Sequence, residues 1–176
     1  MNVLSRILTD VVDYGRICSF PERSKVGGLV LKGIYLSNNL LRRAFKGFQD
    51  ATVDRLQCLL YLTCHEFFKR TGMRLIEDSF VLTSEGPRLE EVAFEFGEFK
   101  EMHIDRYFYD RKLDHKSYFA NEKQTINGIK LEKIIDDVWV RYMHMRDDEI
   151  QLLAKHAFVN ISGIVDNKAA ASAVAV

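Results

Sequence analysis

The sequence predicts a mainly α domain of α+β type: a compact bundle of five or six helices with a short extended segment or small β-hairpin. Three observations carry this. Apolar residues recur at steps of three and four in several separate stretches, the period of a helix face. Residues 73–83 break that period with the β-branched or aromatic Ile76, Phe80 and Val81. The chain has 176 residues, 47% of them apolar, which fits one domain with a core of its own.

The elements follow in order. Leu4, Ile7, Leu8, Val11 and Val12 predict a first helix over 3–14. Phe20, Pro21 and Ser24 mark a break, so residues 1–25 read as a helical extension. The stretch 26–45 is apolar again, with Val30, Ile34, Leu40, Leu41 and Phe45 prominent. Gly27, Gly28 and Gly33 weaken its early part, so a helix beginning near Gly28 or Leu29 is expected.

Residues 52–72 form the organising helix. Val53, Leu56, Leu60, Cys64, Phe67 and Phe68 share one face, with Leu59 beside them. Thr52 or Asp54 suits the cap, and Asp54 with Gln57 fits a capping box. Lys69 and Arg70 complement the negative helix end, and Gly72 suits the left-handed position that closes it.

Beyond Gly72, residues 73–83 read as extended chain or one short strand. Ser84-Glu85-Gly86-Pro87 reads as a helix start, because proline in the first turn loses nothing by lacking its N–H. Leu89, Val92, Ala93, Phe96 and Phe99 continue at helical spacing, with Gly97 as an early stop. In 101–128 two short strands joined by 110–115 compete with helix or loop. Residues 131–145 form a helix, with Ile134, Ile135, Val138, Trp139 and Tyr142 on one side. Asp147 is placed to cap a last helix bearing Ile150, Leu153, Ala154, Ala157 and Phe158. The bundle proper therefore spans 26–162. Residues 163–176 read as a flexible Ala/Val-rich tail, frayed or weakly helical.

Composition narrows function. Formal net charge is zero, from 25 basic and 25 acidic residues, which removes the simplest argument for nucleic-acid binding, and no nucleic-acid partner is expected. No apolar run reaches membrane-span length, and three cysteines without CxxC spacing fit a cytoplasmic protein with reduced thiols. Gly27-Gly28 with Gly33 is not a phosphate-cradling fingerprint, and no cofactor is expected. Cys64-His65 are helix neighbours about 100° apart, poor geometry for a dyad. His103, Asp105, Asp110, Asp114 and His115 are the nearest approach to a metal set, without recognised spacing. An enzyme or metal-dependent protein using this cluster is the alternative to a binding module. The stretch 106–119 is rich in interface residue types: Arg106, Tyr107, Tyr109, Arg111, Tyr118 and Phe119 are the candidate partner contacts. Its alternative reading is that these aromatics cover the helical core.

One ordered set of motifs resembles a known family. Leu56-Gln57-Cys58-Leu59-Leu60-Tyr61 is similar to the L-Q-K-L-L-Y helix of the Panacea antitoxins, the SocA-like or GepA-like domains. Thr71-Gly72 and Gly86-Pro87 follow in the family's order, as do Val138, Trp139 and Tyr142, then Glu149-Ile150 and Leu153-His156. The resemblance spans roughly 30–158. Cys58 replaces the family's lysine, and Thr83-Ser84-Glu85-Gly86-Pro87-Arg88 replaces W-x-Y-G-P-V, which makes this a divergent member. The resemblance implies a helical domain that neutralises a toxin-like protein, encoded next door in a prokaryote or phage, by direct contact. In one branch it implies an adaptor that hands the toxin to a ClpXP-type protease. The apolar end, Ala173-Val174-Ala175-Val176, looks similar to tags that bacterial unfoldases grip.

Overall fold

The computed structural model describes residues 16–18, 20, 31–112 and 116–173. The helix expected over 3–14 lies outside them. Five helices lie among the described residues: α1 (Gly33–Lys46), α2 (Val53–Thr71), α3 (Glu90–Phe96), α4 (Leu131–Tyr142) and α5 (Asp147–Ala173). A three-stranded antiparallel sheet contains β1 (Ile17–Cys18), β2 (Phe80–Thr83) and β3 (Gly86–Arg88), in that order. Two small hairpins follow, β4 (Tyr109–Asp110) with β5 (Lys116–Ser117), and β6 (Thr125–Ile126) with β7 (Ile129–Lys130). The fold is thus mainly α with some β. No helix among the described residues is long and apolar enough to cross a membrane.

Helix α2 is the axis, packing against α1, α3, α4, α5 and β3. Leu56, Leu59, Leu60, Cys64 and Phe67 on its predicted face are all buried, and so are Cys58, Tyr61 and Leu62 around it. Burial nearly all round is what a wide apolar stripe anticipates. At its start the Thr52 hydroxyl accepts from the Arg55 amide at 3.2 Å. At its end Gly72 sits at φ 68, where a Cβ is disfavoured, and its amide closes on Phe68.

Several boundaries differ from the sequence reading, each for a tertiary reason. Helix α1 begins at Gly33 because Leu31 lies in an extended bridge with Ile76, its amide donating to Leu75 and its carbonyl accepting from Glu77. The exposed helix end is then satisfied from afar: the Gly33 amide donates to the Asp78 carboxylate at 2.7 Å. Ser84–Pro87 does not start a helix. Ser84-Glu85 turns a hairpin, and Leu82 pairs with Pro87 and Thr83 with Gly86. Pro87 fits because β3 is an edge strand. Residues 17–18, expected within a helical extension, form β1 instead, and Phe20 enters the core against Tyr61, Phe68 and Phe80.

At its near end, α5 starts with Asp147 as its first residue rather than its cap. Glu149 reaches back to the Arg146 amide at 2.9 Å. The Asp147 carboxylate goes elsewhere, accepting from Arg55 at 2.6 Å and from the Thr52 hydroxyl at 3.3 Å. Arg55 also donates to the carbonyls of Tyr142, Met143 and Met145, so one guanidinium serves the negative end of α4. At its far end, α5 stays helical to Ala173, past the position where the tail was expected to begin. Alanine-rich sequence sustains a helical backbone without any apolar period.

Candidate functional site

Three side-chain amides, projecting from two helices, shape the surface. Each pairs with both the N–H and the C=O of one distant residue, as a neighbouring strand would. Gln57 on α2 donates to the Leu89 carbonyl at 3.0 Å and accepts from the Leu89 amide at 2.9 Å. Asn38 on α1 does the same to Phe108, at 2.8 Å both ways, and also donates to Tyr118. Asn39 pairs with Ala120, donating at 3.0 Å and accepting at 2.8 Å. All three side chains are buried, so each amide group replaces water that the backbone would otherwise lose. Asn38-Asn39 inside an apolar helix was the missed signal, since asparagine is a poor helix former and needs another reason to be there. The capping box assigned to Asp54 and Gln57 does not form, because Gln57 is committed to Leu89.

Asn39 extends into an ionic cluster. Its amide donates to Glu122 at 2.6 Å, and Arg43 donates to the same carboxylate at 2.7 Å. Arg42 pairs with Glu122 at 2.9 Å, and Arg43 also holds Asp136. Burial by itself would push the Glu122 carboxyl up; the bonds from Arg43 and Asn39 outweigh it and hold the group below its ordinary value. The unfolded chain therefore binds the proton more readily than the folded one. The stability that Glu122 contributes is complete above the ordinary carboxylate range and is lost as pH falls through the depressed folded value. Glu122→Gln should be destabilised at neutral pH. It should also lose less stability than the parent between about pH 5 and pH 3 in urea melts. Equal acid sensitivity in the two proteins would remove Glu122 from the account.

The amide clamps decide where the candidate partner residues go. Tyr107 packs at a tilt against Phe45 at 4.9 Å and meets Phe119 edge-on at 5.2 Å. Arg42 covers the Phe119 ring at 4.7 Å, and Tyr118 lies 5.6 Å from Tyr35. Arg106 is held by Glu95 at 2.7 Å and Glu98 at 2.6 Å, over the rings of Phe96 and Phe99. Tyr109 opens β4 half-buried, and Arg111 alone of the six is fully exposed, in the turn after it. Of the readings open for 101–128, the strand pair is the one present, as β4 and β5. Tyr107, Tyr118 and Phe119, which flank it, pack against α1.

The residues behind the family resemblance divide between the core, the far end of α2, where Gly72 sits, and one groove. Leu56, Leu60, Tyr61 and Trp139 are core. Tyr61 is packed between Phe20, Phe80 and Phe158. Gln57, Gly86 and Pro87 line a groove of about 450 Å³ with Asp54, Glu85 and Arg88. Gly86 sits at φ 121, and a Cβ there would come within 2.9 Å of the Cys58 sulfur. Burial, then the Glu85 charge, push the Asp54 carboxyl above its ordinary value. Replacing Gln57 by leucine should cost about 1–3 kcal/mol, because the Leu89 amide stays buried without a partner while its carbonyl keeps only the Ala93 amide. Thermal or urea denaturation checks this, and a loss under about 0.5 kcal/mol would show that water takes over the Leu89 amide.

Cys64 is fully buried, which pushes its thiol up and away from thiolate chemistry. His65 stacks on Tyr61 at 6.2 Å, and burial lowers its pKa. Cys58, under the hairpin, is pushed up to about 12 by burial. His103 faces Asp50 at 3.5 Å. Asp110 accepts from the Lys112 amide within its own turn, and Asp114 and His115 lie outside the described residues. Among the described residues no three His, Cys, Asp or Glu groups converge on a point where a metal ion could sit. The chain matches no protein-family model, no curated protein and no solved structure.

Proposed function

We propose that this chain is an antitoxin-like protein-binding module of Panacea type, which neutralises a toxin-like partner by direct contact in the cytoplasm. The observation that supports it most is the meeting of three of the resemblance residues. Gln57 lies some thirty positions before Gly86 and Pro87 in sequence, yet lines one groove with them and fastens the segment that follows Pro87. A motif used as a framework leaves recognition to the surrounding surface. Tight apolar docking would supply affinity, with charged side chains choosing the partner. Delivery of that partner to a ClpXP-type protease is the adaptor form of the same reading.

The test is co-expression with the product of the adjacent reading frame, followed by pull-down and a growth assay. A stable complex together with relief of growth arrest is the expected result. A folded chain that neither binds nor relieves arrest by any neighbouring product would refute the reading.

A further inference from the structure

We propose that the turn carrying Phe48 is a docking face for a protein segment with an apolar anchor flanked by lysine or arginine. This deepens the protein-binding reading and rests on it.

Phe48 is 96% exposed, so its ring contributes nothing to the core. Its backbone sits at φ 50, a left-handed conformation that costs a side-chain-bearing residue about 1 kcal/mol or more. Glycine would be the most stable residue there. The fold thus gains nothing from this phenylalanine and bears a cost for it. Exposed aromatic rings of this kind are the usual anchors of interfaces.

The turn is held in place rather than loose. The Gly47 amide closes on Arg43 at 2.9 Å and the Gln49 amide on Ala44 at 2.9 Å. The next residues are tied to a second loop, since the Ile104 amide donates to Ala51 at 2.8 Å and Ile104 is buried. Between the two loops lies a groove of about 420 Å³, floored by Ala44, Phe45 and Ile104 and flanked by Phe48. A preformed groove beside a turn with a fixed backbone lowers the ordering cost of binding.

Charge selects the occupant. Asp50, Asp105 and His103 line the groove. Among the described residues Asp105 makes no ion pair and Asp50 pairs with His103 alone. A second copy of this chain would bring the same carboxylates against each other, which is unfavourable. A cationic segment with an apolar face is favoured by both features.

Two variants and two probes test this. Phe48→Gly should keep or raise the melting temperature, as the left-handed position prefers glycine. Asp50→Lys combined with Asp105→Lys reverses the rim. The probes are two synthetic amphipathic helical peptides with the same leucine face, one rimmed by lysines and one by glutamates. Backbone amide NMR on the full chain should show the lysine peptide perturbing residues 44–50 and 103–105. The glutamate peptide should bind about tenfold or more weakly, and the rim-reversed variant should invert that order. Phe48→Gly should weaken the lysine peptide about tenfold or more. Equal binding of both peptides, perturbation elsewhere, unchanged binding by a stable Phe48→Gly variant, or Phe48-dependent dimerisation on a sizing column would each overturn the assignment. If Phe48→Gly still co-purifies with the adjacent gene's product, the protein-binding reading stands and this face is wrong. If no such product binds the parent chain, the broader reading fails whatever the peptides do.

Discussion

Asn38→Ala is expected to lose about 3–5 kcal/mol of stability, one of the two largest effects of any single substitution considered for this chain. The Asn38 side chain is fully buried and completes three hydrogen bonds to main-chain atoms of Phe108 and Tyr118. Truncation removes three bonds at once, one from the Phe108 amide and one to each of the Phe108 and Tyr118 carbonyls, and each lost bond to a buried side chain costs about 1 kcal/mol or more. Urea melts give the magnitude, and amide hydrogen exchange gives the place: protection should fall first at Phe108. Asn38→Asp keeps the acceptor and loses the donors, so it should retain Phe108 amide protection better than alanine does. A loss below about 1 kcal/mol would mean that the 105–120 segment rehydrates freely and is not fastened by α1.

Leu60→Ala is expected to cost about 2–5 kcal/mol. Leu60 has no exposed surface and sits midway along α2, the helix that every major element packs against. The loss combines the transfer of the missing methyl groups with the void they leave, and rigid neighbours on all sides limit collapse into that void. The melting temperature of the variant checks it. An unchanged value would remove α2 from the centre of the core.

These two residues also divide what was legible in the sequence from what was not. Leu60 was readable because burial on a helix leaves a periodic trace, and α2 carried that trace with a Thr52 cap and a left-handed Gly72 at its ends. The strand pair at 109–117 was legible only as one of three readings, since the aromatics at 107–109 and 118–119 fit strand, helix or loop alike. Asn38, Asn39 and Gln57 were not, because their partners are backbone atoms 32 to 81 positions away, and backbone has no identity in a sequence. The start of α1 was misplaced for the same reason: its limit is set by pairing with residues near 76, not by a local stop signal. Ser84–Pro87 was ambiguous locally, since proline's fixed φ suits both a first helical turn and an edge strand. The candidate partner residues were chosen by type. The structure turns most of those aromatics toward α1, while Phe48, an inconspicuous residue after a glycine, and Phe94 on α3 are the rings left exposed.

The amide clamps on Phe108 and Ala120 carry a consequence for how such a protein could diversify. They grip peptide groups and are indifferent to the side chains those residues bear. Substitution along 109–112 can therefore rewrite what the outer surface presents while the fastening to α1 survives. A lineage could alter this stretch freely, provided two asparagines on a helix stayed put. Random libraries restricted to the outward positions of 109–112 should keep a high folded fraction. Libraries that include positions 38 and 39 should collapse.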